Sequence, residues 1–178
     1  MQITSHNINF VVVIYDKNIT VAFTGHRHYD GCADECVYAR LEELYAQGYR
    51  CFLSGMAWGF DLAAAEQVVR LQSIHHDIAL ILVEPYAGFR RLFRGVDAQR
   101  YDSILAASSQ RIAVCKDSER ASFFLRNEYL VHHSSRLIAW WNGGKGGGTA
   151  YTVKCALREG VVVENFYRGE RDLFSDLL

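Results

Sequence analysis

Short runs of apolar and β-branched residues recur along the chain, and most are separated by segments with helical spacing. A chain of this kind folds most simply as a parallel sheet, because each helix carries the chain back to start the next strand in the same direction. The pattern therefore predicts an α/β fold with a doubly wound, mostly parallel sheet and helices on both faces. The predicted strands are Ile19–Thr24, Arg50–Ser54, Ile78–Glu84, Arg111–Cys115, Arg136–Trp141 and Gly160–Glu164.

The helix after the first predicted strand has the clearest pattern. Val37, Leu41, Leu44 and Tyr45 share one face, and Gly48 ends it. Next, Asp61 stands before an Ala-, Leu- and Val-rich segment that continues to Leu71, so we expect Asp61 to cap that helix or to accept a hydrogen bond from a ribose hydroxyl. Further helices are predicted at Tyr101–Ala107, Arg120–His133 and Thr149–Arg158.

Length and charge favour one compact domain over residues 19–178. The chain has 178 residues, of which 50% are apolar, and 19 basic side chains oppose 20 acidic ones. A formal charge of -1 gives no general attraction to polyanions, so any anion site must be a local concentration of donors. Residues 1–18 form an N-terminal extension in which Ile8–Tyr15 either adds an edge strand or packs loosely.

The cysteine pattern and the N-terminal region predict a cytoplasmic protein with no membrane association. Five cysteines, with no Cys-x-x-Cys pair, suit reduced thiols in a reducing compartment. The apolar stretch Phe10–Tyr15 is too short to span a bilayer, and neither a basic n-region nor a small-residue cleavage signature accompanies it.

Three glycine-containing segments follow predicted strands. In a doubly wound sheet the carboxyl ends of the strands meet the amino ends of the helices at one edge, where such folds bind ligands. We therefore expect these segments to converge on one ligand site. They are Thr24–Arg27, Ser54–Asp61 and Gly143–Thr149.

The third of these segments is the most informative. Five of the seven residues in Gly143–Thr149 are glycine, which lets backbone amides approach an anion, and the following helix directs its positive end to the same point. Lys145 would add a charge and Thr149 a hydroxyl donor. The spacing does not match the Walker pattern, so we exclude a P-loop ATPase. The alternative is a flexible turn that only joins strand to helix.

Side chains near the same edge complete the candidate site. His26 and Arg27 end the first strand and either contact a phosphate or base, or only anchor the turn. Asn127 shares the apolar stripe of its helix, where an amide needs a partner, and Arg126 precedes it. The candidate ligand-binding residues are Gly25, His26, Arg27, Ser54, Gly55, Gly59, Asp61, Arg126, Asn127, Gly146, Gly147, Gly148 and Thr149.

Other groups of residues carry weaker signals. His26, His28, Cys32 and Cys36 match no familiar zinc spacing, so we expect no metal and interpret the two cysteines as apolar packing. The arginine-rich stretch Gly88–Arg100 suits either a lid that grips phosphate and stacks a base, or an amphipathic surface helix. Trp58 and the Trp140-Trp141 pair suit either base stacking or core packing.

Taken in order, four motifs resemble the YpsA-like family of the SLOG superfamily. The resemblance covers about Ile19 to Val163, includes Pro85-Tyr86, and implies a Rossmann-like sheet with a nucleotide or nucleotide-derivative ligand. The superfamily also includes the lonely-guy phosphoribohydrolases and the Rossmann domain of DNA-processing protein A. The motifs are Thr24-Gly25-His26-Arg27, Ser54-Gly55-Met56-Ala57-Trp58-Gly59-Phe60-Asp61, Arg126-Asn127 and Gly147-Gly148-Thr149.

The resemblance supports ligand binding more than it supports catalysis. In the hydrolases an arginine and the glutamate of a Pro-Gly-Gly-x-Gly-Thr-x-x-Glu loop handle the ribosyl bond. Here Arg126 matches the arginine, but Thr152 stands at the glutamate position. Hydrolysis would need another carboxylate, and the catalytic candidates are Arg126, Asp61 and Glu128.

We therefore expect a module that binds or senses a nucleotide such as AMP, ADP-ribose or NAD, and that requires no further cofactor. One alternative is a hydrolase that cleaves an N-glycosidic or phosphoribosyl bond. A second is single-stranded DNA binding along Arg90–Arg100, which the near-neutral charge disfavours. The resemblance also implies pairing into a homodimer.

Overall fold

A parallel sheet organises the protein. The computed structural model describes residues 16–168, and within that range all strand pairs are parallel. The strands are β1 (Thr20–Gly25), β2 (Cys51–Ser54), β3 (Ala79–Tyr86), β4 (Gln110–Cys115), β5 (Arg136–Trp140) and β6 (Val162–Asn165). Their spatial order is β4-β3-β2-β1-β5-β6. The predicted α/β class and the doubly wound parallel sheet are confirmed.

Helices cover both faces of the sheet. They are α1 (Asp34–Ala46), α2 (Phe60–Gln72), α3 (Gly95–Ala107), α4 (Arg120–His132) and α5 (Gly147–Arg158). On one face α2 packs between α1 and α3, and on the other α4 packs against α5. The described residues also form short 3-10 turns at Lys17–Ile19 and Phe89–Leu92.

The alternation of side chains along each strand creates the two core layers. On β1, Phe23 points to the α1–α2 face while Ala22 points to the α4–α5 face. On β3, Leu82 and Val83 divide between the same two layers. Because both faces are covered, the central strands are mostly apolar, as expected for a buried parallel sheet.

The order of the strands determines where a ligand can bind. From β1 the chain moves outward through β2 and β3 to β4, and then returns to the opposite side of β1 with β5. The helices that follow β1 and β5 therefore lie on opposite faces, which leaves a crevice between the carboxyl ends of these two strands.

One sequence prediction needs correction, and another concerns residues that the structure does not describe. Helix α3 begins at Gly95 rather than Tyr101, because Phe89 and Phe93 are buried and place the intervening arginines on a short turn before the helix. The segment Ile8–Tyr15 lies outside the described residues, so its contribution of an edge strand stays a prediction. Within the described range, none of the helices has the length and apolar character needed to cross a membrane.

Candidate functional site

A cleft of about 430 Å³ opens at the crevice between the ends of β1 and β5. It lies among the end of β1 and the amino-terminal parts of α2, α4 and α5. Ten of the residues expected at a ligand site line it: Gly25, His26, Arg27, Asp61, Arg126, Asn127, Gly146, Gly147, Gly148 and Thr149. The structure therefore brings the first and third glycine segments together with the Arg126-Asn127 pair.

Ser54, Gly55 and Gly59, which are also expected at the site, do not line the cleft. The Ser54 hydroxyl is buried, donates to the Asp61 carbonyl at 3.0 Å and accepts from the Met56 amide at 3.1 Å. Gly59 has φ +78, and a Cβ there would collide with the Arg27 carbonyl. These residues hold the β2–α2 turn against β1.

Gly55 allows the close approach of Arg126. A Cβ at Gly55 would meet the Arg126 guanidinium, which donates through Nη1 to the Gly55 carbonyl. Arg126 Nε donates to Asn127 Oδ1 at 2.8 Å. Only 6% of Arg126 is exposed, and burial lowers its pKa. This arginine therefore forms a fixed positive wall of the cleft.

Asn127 bridges α4 to the glycine turn. Its Nδ2 donates to the Gly148 carbonyl at 3.5 Å, which fits the predicted need of a partner for this buried amide. The Arg126-Asn127 pair thus connects the second and third glycine segments across the sheet edge.

The prediction that Asp61 caps α2 is wrong. The helix begins at Phe60 with Gly59 as its N-cap and without a side-chain cap bond. The Asp61 carboxylate instead accepts from the Gly25 amide at 3.1 Å and from the Ala57 amide. Burial raises its pKa to about 6, although the positive charge of Arg126 acts to lower it.

The glycine turn leads directly into α5. The helix begins at Gly147, two residues earlier than predicted, and its N-cap Gly146 has no side chain to accept from the amides of the first turn. Gly146, Gly147 and Gly148 are exposed. The amides at this helix end therefore face the cleft without a protein side chain covering them.

Thr149 and Thr152 make internal hydrogen bonds. The Thr149 hydroxyl donates to the Gly25 carbonyl at 2.8 Å, which joins α5 to β1. Thr152, at the position of the hydrolase glutamate, is buried and donates to the Gly148 carbonyl at 2.9 Å. The carboxylate of Glu128 accepts from the Tyr151 hydroxyl, and Glu128 does not line the cleft. Asp61 is therefore the carboxylate in the cleft among the described residues.

His26 connects the two loops at the rim. Its amide donates to the Trp140 carbonyl at 3.3 Å, and its Nε2 accepts from the Asn142 amide at 3.1 Å. The Asn142 side chain in turn accepts from the Gly144 amide at 3.0 Å. His26 thus anchors the start of the glycine segment while its ring borders the cleft.

The arginine-rich stretch does not form a free cationic track. Arg90 pairs with Asp102 at 2.5 Å, and Arg100 pairs with Glu66 at 2.7 Å. Arg94 donates to the carbonyls of Arg91 and Phe93. Of the alternatives, these contacts favour a surface turn and helix over a lid that grips phosphate.

The remaining sequence signals have separate outcomes. Cys32 and Cys36 are exposed, so the expectation of apolar packing is wrong: Cys32 lies in the turn before α1, and Cys36 lies on the exposed side of α1, which buries Val37 and Leu41 instead. Trp58 stacks on Phe93 at 4.2 Å. Within residues 16–168 no group of three or more His, Cys, Asp or Glu side chains is arranged to hold a metal ion.

Sequence reasoning missed several residues of the cleft. Thr24 and Ala57, which belong to the predicted segments but are not among the candidate residues, line it together with Arg120, Phe123 and Phe124. The sequence does contain a signal for Arg120, Phe123 and Phe124, because they lie in the first turns of the predicted helix that also carries Arg126. Within the Ser54–Asp61 segment the sequence does not single out Ala57, since its position depends on the conformation of the β2–α2 turn.

Solved structures with a similar fold share little sequence with this chain. DNA processing protein A from Helicobacter pylori, a single-stranded DNA binding protein, matches with a TM-score of 0.60 and 16% identity over 89% of this chain and 72% of its own. The Streptococcus pneumoniae protein gives 0.59 and 17% over 88% of this chain. This chain covers only 53% of that protein. TM1055, a structural genomics target, gives 0.52 and 15%, covering 81% of this chain and 71% of its own.

Two sequence relatives and a family model match this chain. A UPF0398 protein of Bacillus cereus (strain G9842) is 24% identical over 88% of this chain and 91% of its own length. A UPF0398 protein of Halalkalibacterium halodurans is 29% identical over 64% of this chain and 61% of its own. The YpsA family model, described as the YspA SLOG family, matches residues 20–161. The chain therefore belongs to the YpsA family of SLOG proteins.

Proposed function

We propose that the cleft binds a nucleotide or nucleotide derivative and holds it by a phosphate. The observation that carries this proposal is the uncapped start of α5, which faces an open cleft at the point where the strand order reverses. Amides at a helix amino terminus favour an anion through their unpaired donors and the helix dipole.

Two arginines supply positive charge around this position. Arg27 is exposed at the rim, where its guanidinium lies 5.2 Å from the centre of the Trp58 ring. Arg126 is fixed beneath the cleft by the Gly55 carbonyl and Asn127. In this proposal Arg27 moves onto the phosphate from solvent, while Arg126 acts without rearrangement. Neutralisation by both groups favours a phosphate over a neutral sugar.

The rest of the cleft suits a nucleoside. Asp61 and Asn127 offer polar atoms for sugar hydroxyls, and Phe123 and Phe124 provide apolar surface for a base. Membership of the SLOG family supports a nucleotide-related ligand. The fold shared with DNA processing protein A is compatible with the same class.

A second candidate function is cleavage of the N-glycosidic or phosphoribosyl bond. Asp61 favours it, because its pKa of about 6 suits general acid-base chemistry near neutral pH. Its hydrogen bonds to the Gly25 and Ala57 amides instead suit a structural carboxylate. Release of free base from AMP by the wild-type protein, lost in Asp61→Asn, would favour the enzyme; binding without release favours a sensor.

Calorimetry with AMP, ADP-ribose and NAD tests the binding proposal. We expect at least one of them to bind below millimolar concentration, and Arg27→Ala to weaken that binding about tenfold through loss of one charged contact. Arg158→Ala is the matched control, since Arg158 is an exposed arginine outside the cleft. Absence of binding to all three by the folded protein would refute the proposal.

A further inference from the structure

A second hollow of about 380 Å³ continues from the cleft along the groove between α4 and α5. The two share Arg120, Phe124, Gly147 and Gly148 in their linings. The glycine turn therefore separates two adjoining spaces, one against β1 and the other against the outer side of α5. A ligand seated in the first has a direct path into the second.

The hollow is cationic. Arg120, Lys145 and Lys154 line it, and no carboxylate of the described residues does. Within residues 16–168 none of these three side chains forms an ion pair with an acidic residue. Their charges are therefore not neutralised by that part of the protein, in contrast to those of Arg90 and Arg100, which pair with Asp102 and Glu66.

Lys154 has a defined position in this hollow. Its Nζ donates to the Lys145 carbonyl at 3.1 Å, so this exposed side chain is held against the glycine segment. An ammonium group has three donors, which leaves two for a ligand. Two aromatic side chains flank the hollow: Phe124, 40% exposed, meets the Tyr151 ring edge to face at 4.9 Å.

We propose that this hollow is a subsite for a second phosphoryl group, so that the ligand is a nucleoside diphosphate or a nucleotide joined through a diphosphate. This inference rests on the proposed function. The first phosphate takes the amides on the β1 side of the Gly147-Gly148 turn, and the second takes Lys154 and Arg120 on the α5 side. A shared turn suits phosphates that are directly linked.

The charge distribution favours a small diphosphate over a nucleic acid strand. A strand needs a groove of positive charge that follows several phosphates. In the Arg90–Arg100 stretch, Arg90 and Arg100 are paired with the acidic side chains of Asp102 and Glu66, so two of its four arginines are neutralised within the protein. The chain as a whole carries a formal charge of -1.

The affinity ratio of ADP to AMP, measured by calorimetry at low salt, tests the subsite. We expect wild-type protein to bind ADP about tenfold more tightly than AMP. Lys154→Gln should bring ADP to within about twofold of AMP and leave AMP itself unchanged, while Lys154→Arg should retain the preference. Lys116→Gln, at an exposed lysine outside both spaces, is the matched control.

The outcomes of this experiment separate the two proposals. Binding of AMP with an ADP preference that Lys154→Gln leaves intact would overturn the subsite and keep the proposed function. Failure of AMP and ADP to bind would overturn the subsite, and failure of ADP-ribose and NAD as well would overturn the proposed function. A thymidine oligonucleotide without terminal phosphates provides the third outcome. If it binds more tightly than ADP and Lys154→Gln weakens that binding, the subsite is overturned and the hollow is assigned to nucleic acid instead.

Discussion

At the scale of single residues, the Asp61 carboxyl has the most unusual environment in the cleft. It is 4% exposed, accepts hydrogen bonds from two backbone amides and faces the buried guanidinium of Arg126. Burial disfavours its charged form more than these partners favour it, which raises its pKa to about 6 from an ordinary 3.8. Protonation of one side chain thus links the fold to pH.

Asp61→Asn should change how stability depends on pH. Between about pH 4 and pH 6 the folded protein keeps a proton on Asp61 that the unfolded chain releases. The free energy of unfolding contributed by this group therefore falls as pH rises through that window, by about 2 to 3 kcal/mol, and stays lower above it. The amide of the variant does not titrate in this range, so the variant should lack this decline.

Urea denaturation of both proteins at intervals from pH 4 to pH 7.5 measures the effect. At each pH the unfolding free energy of Asp61→Asn is subtracted from that of the wild type, and the change of this difference with pH is the result. Any destabilisation by the substitution that does not depend on pH cancels in that change. Curves that stay parallel across the window would show that the carboxyl is not perturbed.

The residue scale also shows where sequence reasoning stops. The position of Asp61 before an apolar helix suggests a cap, yet its partners are the amide of Gly25, 36 positions away, and that of Ala57. Thr149 likewise donates to Gly25 across the sheet. A hydrogen bond between distant segments has no periodic signature, so the roles of such residues depend on tertiary structure.

At the scale of elements, the amino-terminal turn of α5 is central because it offers amides without a covering side chain. Gly148 has no positive φ, and a Cβ there would lie 3.6 Å from Asn127 Nδ2, an ordinary contact. Alanine is a better helix former than glycine by about 1 kcal/mol. The backbone at this position therefore accepts a methyl group, and under the proposed function that methyl group would obstruct the ligand.

Gly148→Ala should retain or increase stability and weaken nucleotide binding about tenfold or more. Gly160→Ala should do the opposite: Gly160 follows α5 at φ +70, away from the cleft, so alanine should cost about 1 kcal/mol without changing affinity. Thermal unfolding and calorimetry on the two variants measure both quantities. Unchanged affinity in a folded Gly148→Ala protein would show that ligands do not approach these amides.

Elements are the scale at which the sequence is most informative. Each predicted strand lies within about two residues of an observed one, because apolar runs bounded by turns arise from burial on both faces of the sheet. The start of α3 is harder to predict from the sequence, because the buried residues Phe89 and Phe93 belong to a short turn whose apolar spacing resembles that of a helix. Convergence of the glycine segments followed from parallel topology alone.

At the scale of the whole molecule, charge balance and internal ion pairs limit what the protein can bind. Arg90 and Arg100 are held by acidic partners, and the cations without such partners that line the cleft region are few. Affinity for nucleic acid depends on how many phosphates are neutralised at once. A compact set of cations favours a small anion.

Binding to single-stranded DNA should accordingly be weak. For a labelled thymidine oligonucleotide without terminal phosphates, at physiological salt, we expect a Kd above about 10⁻⁴ M, measured by fluorescence anisotropy. A micromolar Kd that weakens steeply as salt is raised would contradict this expectation and favour a nucleic-acid role for the cleft.

The central claim is that the amides at the start of α5 receive a phosphate. Amide chemical shifts of isotopically labelled protein, followed during titration with AMP, test it most directly. We predict saturable shifts that are largest at Gly147, Gly148 and Thr149, with a smaller response at Arg27. Saturable shifts that occur elsewhere and leave these amides unchanged would contradict the account.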